Sequence, residues 1–308
     1  MSETSPQPTT ESVRAGRLMR RATYASVVVA GALIVAKLAA WAITDSVAML
    51  SALIDSVLDA LASIINLFAV RHALQPADRE HRFGHGKAEA LAGLAQAAFI
   101  SGSAVFLIIE AAQRFARPIV IENSDVGIAV SVFAIVATVI LVMYQTYVVR
   151  RTKSIAIAAD SLHYKSDLAL NASVIAALIL SGTFEMTYAD PAFAIGIAAF
   201  VLFSAWRIFR RSYDELMDHE FPPNVRARIR EIATAPAEVI DMHDLRTRSS
   251  GRDSFIQLHL ELPSDISLMA AHHIADDVEF RLRESFPDAE VIIHQDPAGV
   301  VESHPDFG

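Results

Sequence analysis

The chain has 308 residues, of which 53% are hydrophobic and only 20% are charged, and its mean hydropathy is +0.36. This composition is too apolar for an ordinary soluble domain of this size and indicates a membrane protein. Residues 1–212 hold 18 Lys and Arg against 15 Asp and Glu, whereas residues 213–308 hold 8 against 20. We therefore expect an apolar body followed by an acidic soluble tail. Because there is no cysteine, disulfides, thiolate metal sites and cysteine catalysis are excluded.

Long apolar stretches recur along the first two thirds of the chain, and most approach the ~20 residues that a membrane-spanning helix needs. They predict a transmembrane domain over residues 19–212, after a Ser/Thr/Pro-rich N-terminus over residues 1–18 that we expect to be disordered. The six predicted spans are 22–43, 47–70, 88–115, 126–149, 155–180 and 192–206.

Lys and Arg residues cluster on one side of this predicted bundle. Basic clusters precede the first span, separate the second from the third and the fourth from the fifth, and follow the sixth, whereas the other side has only Arg114 and Arg117. By the positive-inside rule, both termini are predicted to be cytoplasmic.

The tail has the pattern of a small soluble domain over residues 213–300, followed by a C-terminal segment over residues 301–308. A helix is expected over 225–234, a hairpin from 245–248 and 254–262, a helix over 267–285 and a strand over 291–293. The predicted fold class is thus an all-α six-helix transmembrane bundle with a small cytoplasmic α+β domain in the order α-β-β-α-β.

Two predicted spans carry ionisable pairs at a spacing of four residues, which places each pair on one helix face. The second span has Asp55 and Asp59, and the fifth has His163 and Asp167. Ionisable residues cost about 2.5–3.5 kcal/mol each at mid-membrane on insertion scales, so a compensating partner is expected. Facing each other, the two pairs provide four N/O ligands suited to a tetrahedral divalent ion such as Zn²⁺.

A structural alternative is that these groups snorkel to water from helix ends or pair with Lys37 or Lys165. It is weakened because the two aspartates lie deep in their span and because one lysine leaves several carboxylates unpaired. A metal site of this kind also depends on pH, since protons compete with the metal for the ligands.

Further candidate ligands lie outside the spans. In the loop after the second span, Asp78, His81 and His85 are spaced by three and four residues, and such loops also often carry solvated histidines. In the tail, histidines lie at strand ends and at a helix start, so they are expected either to form a cytoplasmic metal cluster or to be surface residues. The candidate tail ligands are His243, His259, His272, His294 and Asp296.

Several segments resemble, in order and spacing, the cation diffusion facilitator family and within it the bacterial YiiP/FieF-type zinc exporters. The matching segments are SALIDSVLDALAS (51–63), LQPADREHRFGHGKAEALA (74–92), HYKSD (163–167), HDLRTR (243–248) and VIIHQDP (291–297).

This resemblance implies a homodimeric inner-membrane antiporter with a metallochaperone-like cytoplasmic domain, which exchanges cytoplasmic Zn²⁺ for protons. It places the transport site on the intramembrane quartet, a further site on the loop residues and a binuclear site, bridged by Asp296, on the tail residues. It also implies a dimer-stabilising salt bridge between Lys87 and Asp218. Zn²⁺ would be both substrate and regulatory ligand, and no nucleic acid is expected as a partner.

We distinguish three interpretations of the protein's function. The preferred one is proton-coupled export of Zn²⁺, with Cd²⁺, Fe²⁺, Co²⁺ or Mn²⁺ as alternative ions. A membrane metalloenzyme is disfavoured because the sequence has no His-Glu-x-x-His motif and the carboxylate-rich quartet offers no open position for a catalytic water. A metal receptor that does not transport would need no metal-linked proton flux.

Overall fold

A computed structural model describes residues 10–45, 47–116, 125–184 and 189–300. Up to residue 216, most of the described residues lie in six long helices, as the hydropathy predicts. Five helical segments within these residues are long and apolar enough to cross a membrane, and α5 holds the remaining predicted span, the fifth, over residues 155–180. The long helices are α1 (Thr10–Thr44), α2 (Val47–Ala73), α3 (Lys87–Ala116), α4 (Asp125–Thr152), α5 (Ile155–Phe184) and α6 (Ala189–Leu216).

The start of α1 corrects one prediction. Residues 10–18 were expected to belong to a disordered N-terminus, but they are helical and continuous with the first span. This stretch contains neither proline nor an internal break, so the helix of the span extends through it. Residues 1–9 and the predicted tail over residues 301–308 lie outside the described part of the chain.

The described residues divide into two units. The membrane unit comprises residues 13–76 and 87–213, and within it α5 packs against α2, α3 and α4. Small side chains such as Ala22, Ala92 and Ala156 are buried between these helices, which lets the backbones approach closely, as is usual in membrane bundles. Large apolar side chains such as Phe106 and Phe203 are exposed, as expected for helices that face lipid.

The second unit contains residues 77–86 and the chain from residue 214 onward. Its elements are α7 (Pro223–Ala233), β1 (Asp241–Ser250), β2 (Asp253–Leu262), α8 (Leu268–Ser285) and β3 (Ala289–Pro297). The strands form a sheet in the order β1-β2-β3, in which β1 and β2 are antiparallel and β2 and β3 are parallel. The predicted α-β-β-α-β order is confirmed, although β1 begins at Asp241, four residues before the predicted strand. We call this unit the sheet domain.

One face of the sheet packs on the two short helices. The alternating residues Ile256, Leu258, Leu260 and Leu262 of β2 are buried in a cluster with Val278 of α8. The helix α8 begins where its sequence indicates, because the Ser267 side chain accepts a hydrogen bond from the backbone N–H of Ala270 at 3.2 Å.

The loop over residues 77–86 covers part of the other face. Phe83 makes an edge-to-face contact with Phe255 of β2 at 5.5 Å, and the Arg248 guanidinium lies over both rings at 4.4 and 4.6 Å. Gly86 lies against the Ser250–Gly251 turn so closely that a Cβ atom there would overlap the Ser250 carbonyl. Thus Phe255, which lies on the face of β2 opposite Ile256 and Leu258, is buried because the loop packs on it.

Candidate metal centres

The first candidate centre lies within the membrane unit, between α2 and α5. His163 Nε2 is 2.8 Å from Asp59 Oδ1 and 3.7 Å from Asp167 Oδ2. One ligand atom from each of these three residues lies within 4.8 Å of the others. The two members of the α5 pair are one helical turn apart, so they approach α2 from the same face. Three of the four predicted transport-site residues therefore form a compact group.

Asp55, the fourth predicted ligand, lines the same cavity as this group. The cavity measures about 860 Å³ and is also lined by Lys37 and Ser56. Asp55 precedes Asp59 by one turn of α2, which keeps its carboxylate on the cavity side. We call this space, with its three carboxylates and one imidazole, the transport cavity. Its donors are those expected for a divalent transition metal.

The two lysines considered as alternative partners for these carboxylates, Lys37 and Lys165, lie in different surroundings. Lys37 Nζ donates hydrogen bonds to Ser56 Oγ at 2.6 Å and to the Ala52 carbonyl at 3.1 Å, and it also lines the transport cavity. Lys165 is exposed on α5. A snorkelling arrangement does not describe His163, which is buried.

Sequence reasoning missed Asp160, a buried carboxylate in α5. Asp160 Oδ2 accepts hydrogen bonds from Ser26 of α1 and Gln145 of α4, each at 2.7 Å, and its Oδ1 accepts one from Ser63 of α2 at 3.4 Å. The Ser63 hydroxyl is also 3.0 Å from the Tyr164 hydroxyl. Asp160 thereby joins four helices one turn before His163. Its position inside the fifth apolar stretch was the signal, because intramembrane ionisable residues are rare and usually functional or structural.

The second candidate centre is the loop group in the sheet domain. His81 Nδ1 lies 3.3 Å from Asp78 Oδ1, and His85 Nε2 lies 3.4 Å from Asp78 Oδ2. The backbone N–H groups of His81 and Glu80 donate to Asp78 Oδ1 at 2.6 and 2.9 Å, an Asx turn that fixes the carboxylate. The hydrogen bond from the His81 N–H lowers the pKa of Asp78. The predicted spacing thus brings all three loop residues together.

The third candidate centre lies on the sheet, where the register of the three strands places histidines side by side. His243 of β1 is opposite His259 of β2, and His259 is opposite His294 of β3, so three histidines form a row across the sheet. Asp296 is two residues after His294 and on the same face. Asp296 Oδ2 is 3.2 Å from His243 Nε2 and 2.8 Å from His259 Nδ1, and its Oδ1 is 2.9 Å from His294 Nε2. Its two oxygens thus face different histidines, an arrangement suited to bridging two ions.

Two residues make the composition of this third group differ from the predicted set. His272 lies on α8, where its Nε2 is 3.5 Å from Asp276, and it is not part of the group that His243, His259 and Asp296 form among the described residues. Asp244, which the sequence analysis did not identify, lies 3.7 Å from His259 Nε2 and is held by Arg246 at 2.9 Å. It lies at a β-bulge with φ of 46°, and no spacing pattern identified it.

The predicted dimer salt bridge involves residues of different units. Asp218 Oδ1 lies 3.6 Å from the Arg248 guanidinium within the sheet domain, and Lys87 is the first residue of α3. The pairing of Lys87 with Asp218 remains a prediction.

Comparison with known proteins identifies the family. The model of the cation efflux transmembrane domain matches residues 23–217, and the model of the cation efflux protein cytoplasmic domain matches residues 221–298. Cation-efflux pumps named FieF from Salmonella choleraesuis (strain SC-B67) and Salmonella typhimurium (strain LT2) are each 47% identical over 286 residues, covering 93% of this chain and 95% of each relative.

A solved structure of CzrB, a candidate zinc transporter, is 33% identical and covers 26% of this chain and 99% of that chain, with a TM-score of 0.25. This likeness is too limited to add to the assignment, which depends on the two family models and the FieF relatives. The chain therefore belongs to the cation diffusion facilitator family of cation-efflux proteins and is a multi-pass membrane transporter rather than an enzyme.

Proposed function

We propose that the protein exports Zn²⁺ from the cytoplasm in exchange for protons, through a site formed by Asp55, Asp59, His163 and Asp167. The observation that carries this proposal is the gathering of Asp59, His163 and Asp167 within 4.8 Å, in a cavity of the membrane unit that Asp55 also lines. Relatives 47% identical to this chain are named cation-efflux pumps, which supports the direction of transport.

Proton coupling follows from the chemistry of the ligands. A carboxylate or an imidazole must lose its proton before it binds a metal ion, so loading the cavity releases protons and reprotonation displaces the metal. When the cavity holds neither metal nor protons, its three negative charges exceed the single positive charge of Lys37, which is costly in an apolar medium. In an alternating-access cycle, the protein should therefore change between its inward and outward states with the site loaded with metal or protonated, and not with the site empty.

The donor set favours Zn²⁺ among the divalent ions. One imidazole and three carboxylates suit a tetrahedral transition metal better than Mg²⁺, which prefers six oxygens. Cd²⁺, Fe²⁺ and Co²⁺ accept the same ligands, and Mn²⁺ is an alternative physiological ion. We propose Zn²⁺ as the substrate and these ions as competitors.

The test reconstitutes the full chain in liposomes and records Zn²⁺ movement and internal pH together. We expect Zn²⁺ flux in one direction matched by proton flux in the other, and loss of both in Asp59→Ala. The matched control is Glu231→Ala, which removes an exposed carboxylate on α7 that pairs only with Arg228 among the contacts described. Metal binding without transport would reject the proposal and favour a metal receptor. Undiminished transport in Asp59→Ala would instead show that the four residues named above are not the transport site.

We further propose that the third candidate centre, around Asp296, is a regulatory metal site, that the protein is a homodimer and that both termini of each chain face the cytoplasm. The loop group of Asp78, His81 and His85 is proposed as an additional metal site. Asp296 touches one histidine from each strand of the sheet, so metal bound there would fix the relation between strands. The cytoplasmic-domain family match supports an assembly role for this domain. His272 and the Lys87–Asp218 salt bridge are kept as proposed contributors to the metal site and the dimer. If His243→Ala with Asp296→Ala left the dependence of transport on Zn²⁺ concentration unchanged, regulation would not reside here.

A further inference from the structure

One cation lines the transport cavity together with the proposed ligands. Lys37 projects from α1, and its ammonium is tethered to α2 by hydrogen bonds to Ser56 Oγ at 2.6 Å and to the Ala52 carbonyl at 3.1 Å. Ser56 follows the ligand Asp55 directly in the sequence, and both residues line the cavity. The tether therefore holds the positive charge beside the carboxylates instead of leaving it free to extend along the helix.

We propose that Lys37 is a fixed counter-charge that matches the transport cavity to a divalent ion. This inference depends on the proposed function. With the metal bound, Asp55, Asp59 and Asp167 together contribute three negative charges and the neutral His163 contributes none. Adding the positive charge of Lys37 leaves a net charge of minus two, which one divalent ion neutralises.

Neutrality has a consequence for transport because charge is costly in an apolar membrane. A loaded cavity with no net charge can rearrange without moving an uncompensated charge through a medium of low dielectric constant. Without Lys37, the loaded cavity would keep one negative charge. It would bind a divalent ion more tightly, release it more slowly and rearrange at a higher cost.

A simpler explanation is that Lys37 only ties α1 to α2 through its hydrogen bonds. Two substitutions distinguish charge from tether. Lys37→Gln keeps an N–H donor without the charge, whereas Lys37→Arg keeps the charge with a different shape. If charge is what matters, the arginine variant should resemble the wild type much more closely than the glutamine variant does.

The absence of cysteine from the chain permits a sharper comparison. Lys37→Cys introduces a single thiol, which a charged aminoethyl thiosulfonate converts into a lysine-like ammonium and a methyl thiosulfonate converts into a neutral side chain. Both forms derive from one reconstituted preparation, so differences in folding between variants do not affect the comparison.

We would measure initial rates of Zn²⁺ transport in liposomes over a range of Zn²⁺ concentrations. We expect the KM of Lys37→Gln and of the neutral thiol adduct to fall on the order of tenfold, because a nearby positive charge no longer repels the ion. Their maximal rate should fall by a similar factor, while Lys37→Arg and the aminoethyl adduct should recover both parameters.

Asp59→Ala measured alongside separates this inference from the proposed function. If Asp59→Ala transports normally, the proposed site is wrong and the role of Lys37 falls with it. If Asp59→Ala is inactive while Lys37→Gln and the neutral adduct keep the wild-type KM and maximal rate, only the counter-charge is refuted. Equal loss in the charged and the neutral adducts would also refute it, because shape rather than charge would then matter.

Discussion

The contact between Gly86 and the hairpin turn gives a sharp prediction about the loop that carries Asp78, His81 and His85. A Cβ atom at Gly86 would overlap the Ser250 carbonyl and lie 2.9 Å from the Gly251 nitrogen, both of them backbone atoms that cannot rotate away. Relief therefore requires the loop and the turn to separate. The approach is equally close from the other side, since a Cβ atom on Gly251, which has φ of 66°, would lie 2.9 Å from Gly86 Cα.

We therefore expect Gly86→Ala to detach the loop from the sheet domain. Overpacking of this kind costs about 1–3 kcal/mol, and the backbone overlap places this site at the upper end, about 3 kcal/mol. A loss of that size corresponds to roughly a hundredfold more frequent local opening. Phe83 would withdraw from Arg248 and Phe255, so β2 should lose protection together with the loop.

Hydrogen exchange on the reconstituted full chain measures this directly, through peptides that cover residues 77–86 and 248–262. The matched control is Gly102→Ala, since a Cβ there meets nothing within 4 Å and alanine favours a helix by up to about 1 kcal/mol. Wild-type protection of both peptides in Gly86→Ala would show that the close approach of loop and turn is not a stable part of the domain.

Two further predictions concern buried or partly buried carboxylates. Asp160→Ala removes the acceptor of three buried hydrogen bonds, which come from the Gln145 amide and the Ser26 and Ser63 hydroxyls. We expect it to destabilise the bundle by about 2–4 kcal/mol in a detergent unfolding titration. Ser103→Ala, which removes only a hydrogen bond to its own helix at 3.2 Å, should cost under about 0.5 kcal/mol, and an equal cost in both variants would contradict this account. Partial burial raises the pKa of Asp253, with Asp288 and Glu290 adding to the rise against Arg252. A carboxyl group whose pKa is raised in the folded state contributes its full stability below the pKa of the unfolded state. This contribution is lost as the pH rises through the pKa of the folded state. Asp253→Asn should therefore protect the β1–β2 hairpin slightly better at pH 7, by about 0.5 kcal/mol or less because solvent still reaches much of this side chain, and this gain should vanish below about pH 4. A constant difference across that pH range would exclude ionisation of Asp253 as its cause.

Local patterns in the sequence were sufficient to predict the division of the chain into a membrane part and a soluble domain, together with most of the helices and strands. Span length is set by the thickness of the bilayer, so hydropathy alone located the helices. Likewise, Ile256, Leu258, Leu260 and Leu262 recur with a period of two residues, and the face of β2 that they mark is the buried one. The spacing of Asp78, His81 and His85 predicted their contact because all three lie within one short loop.

Other features depend on residues that are distant in the chain. The burial of Phe255 requires Phe83, which comes from a loop between two membrane spans. Residues 10–18 are helical because the helix of the first span continues through them, although their composition predicted disorder. The network at Asp160 needs side chains from α1, α2 and α4, and no periodicity within α5 indicates which neighbours they are.

Composition and periodicity in the sequence by themselves determined that this is a helical membrane protein with an acidic α+β domain, and the resemblance of its motifs indicated the cation diffusion facilitator family, because all of these are local properties. Only the tertiary structure decided which candidate ligands meet. His163 and Asp59 are 104 residues apart and lie 2.8 Å from each other because α2 packs against α5. The row from His243 to His294 exists because β3 pairs in parallel with β2 at one particular register, and His272 is not in that group because α8 holds it beside Asp276. Packing and register are long-range properties, and they arrange the candidate ligands that the sequence supplies.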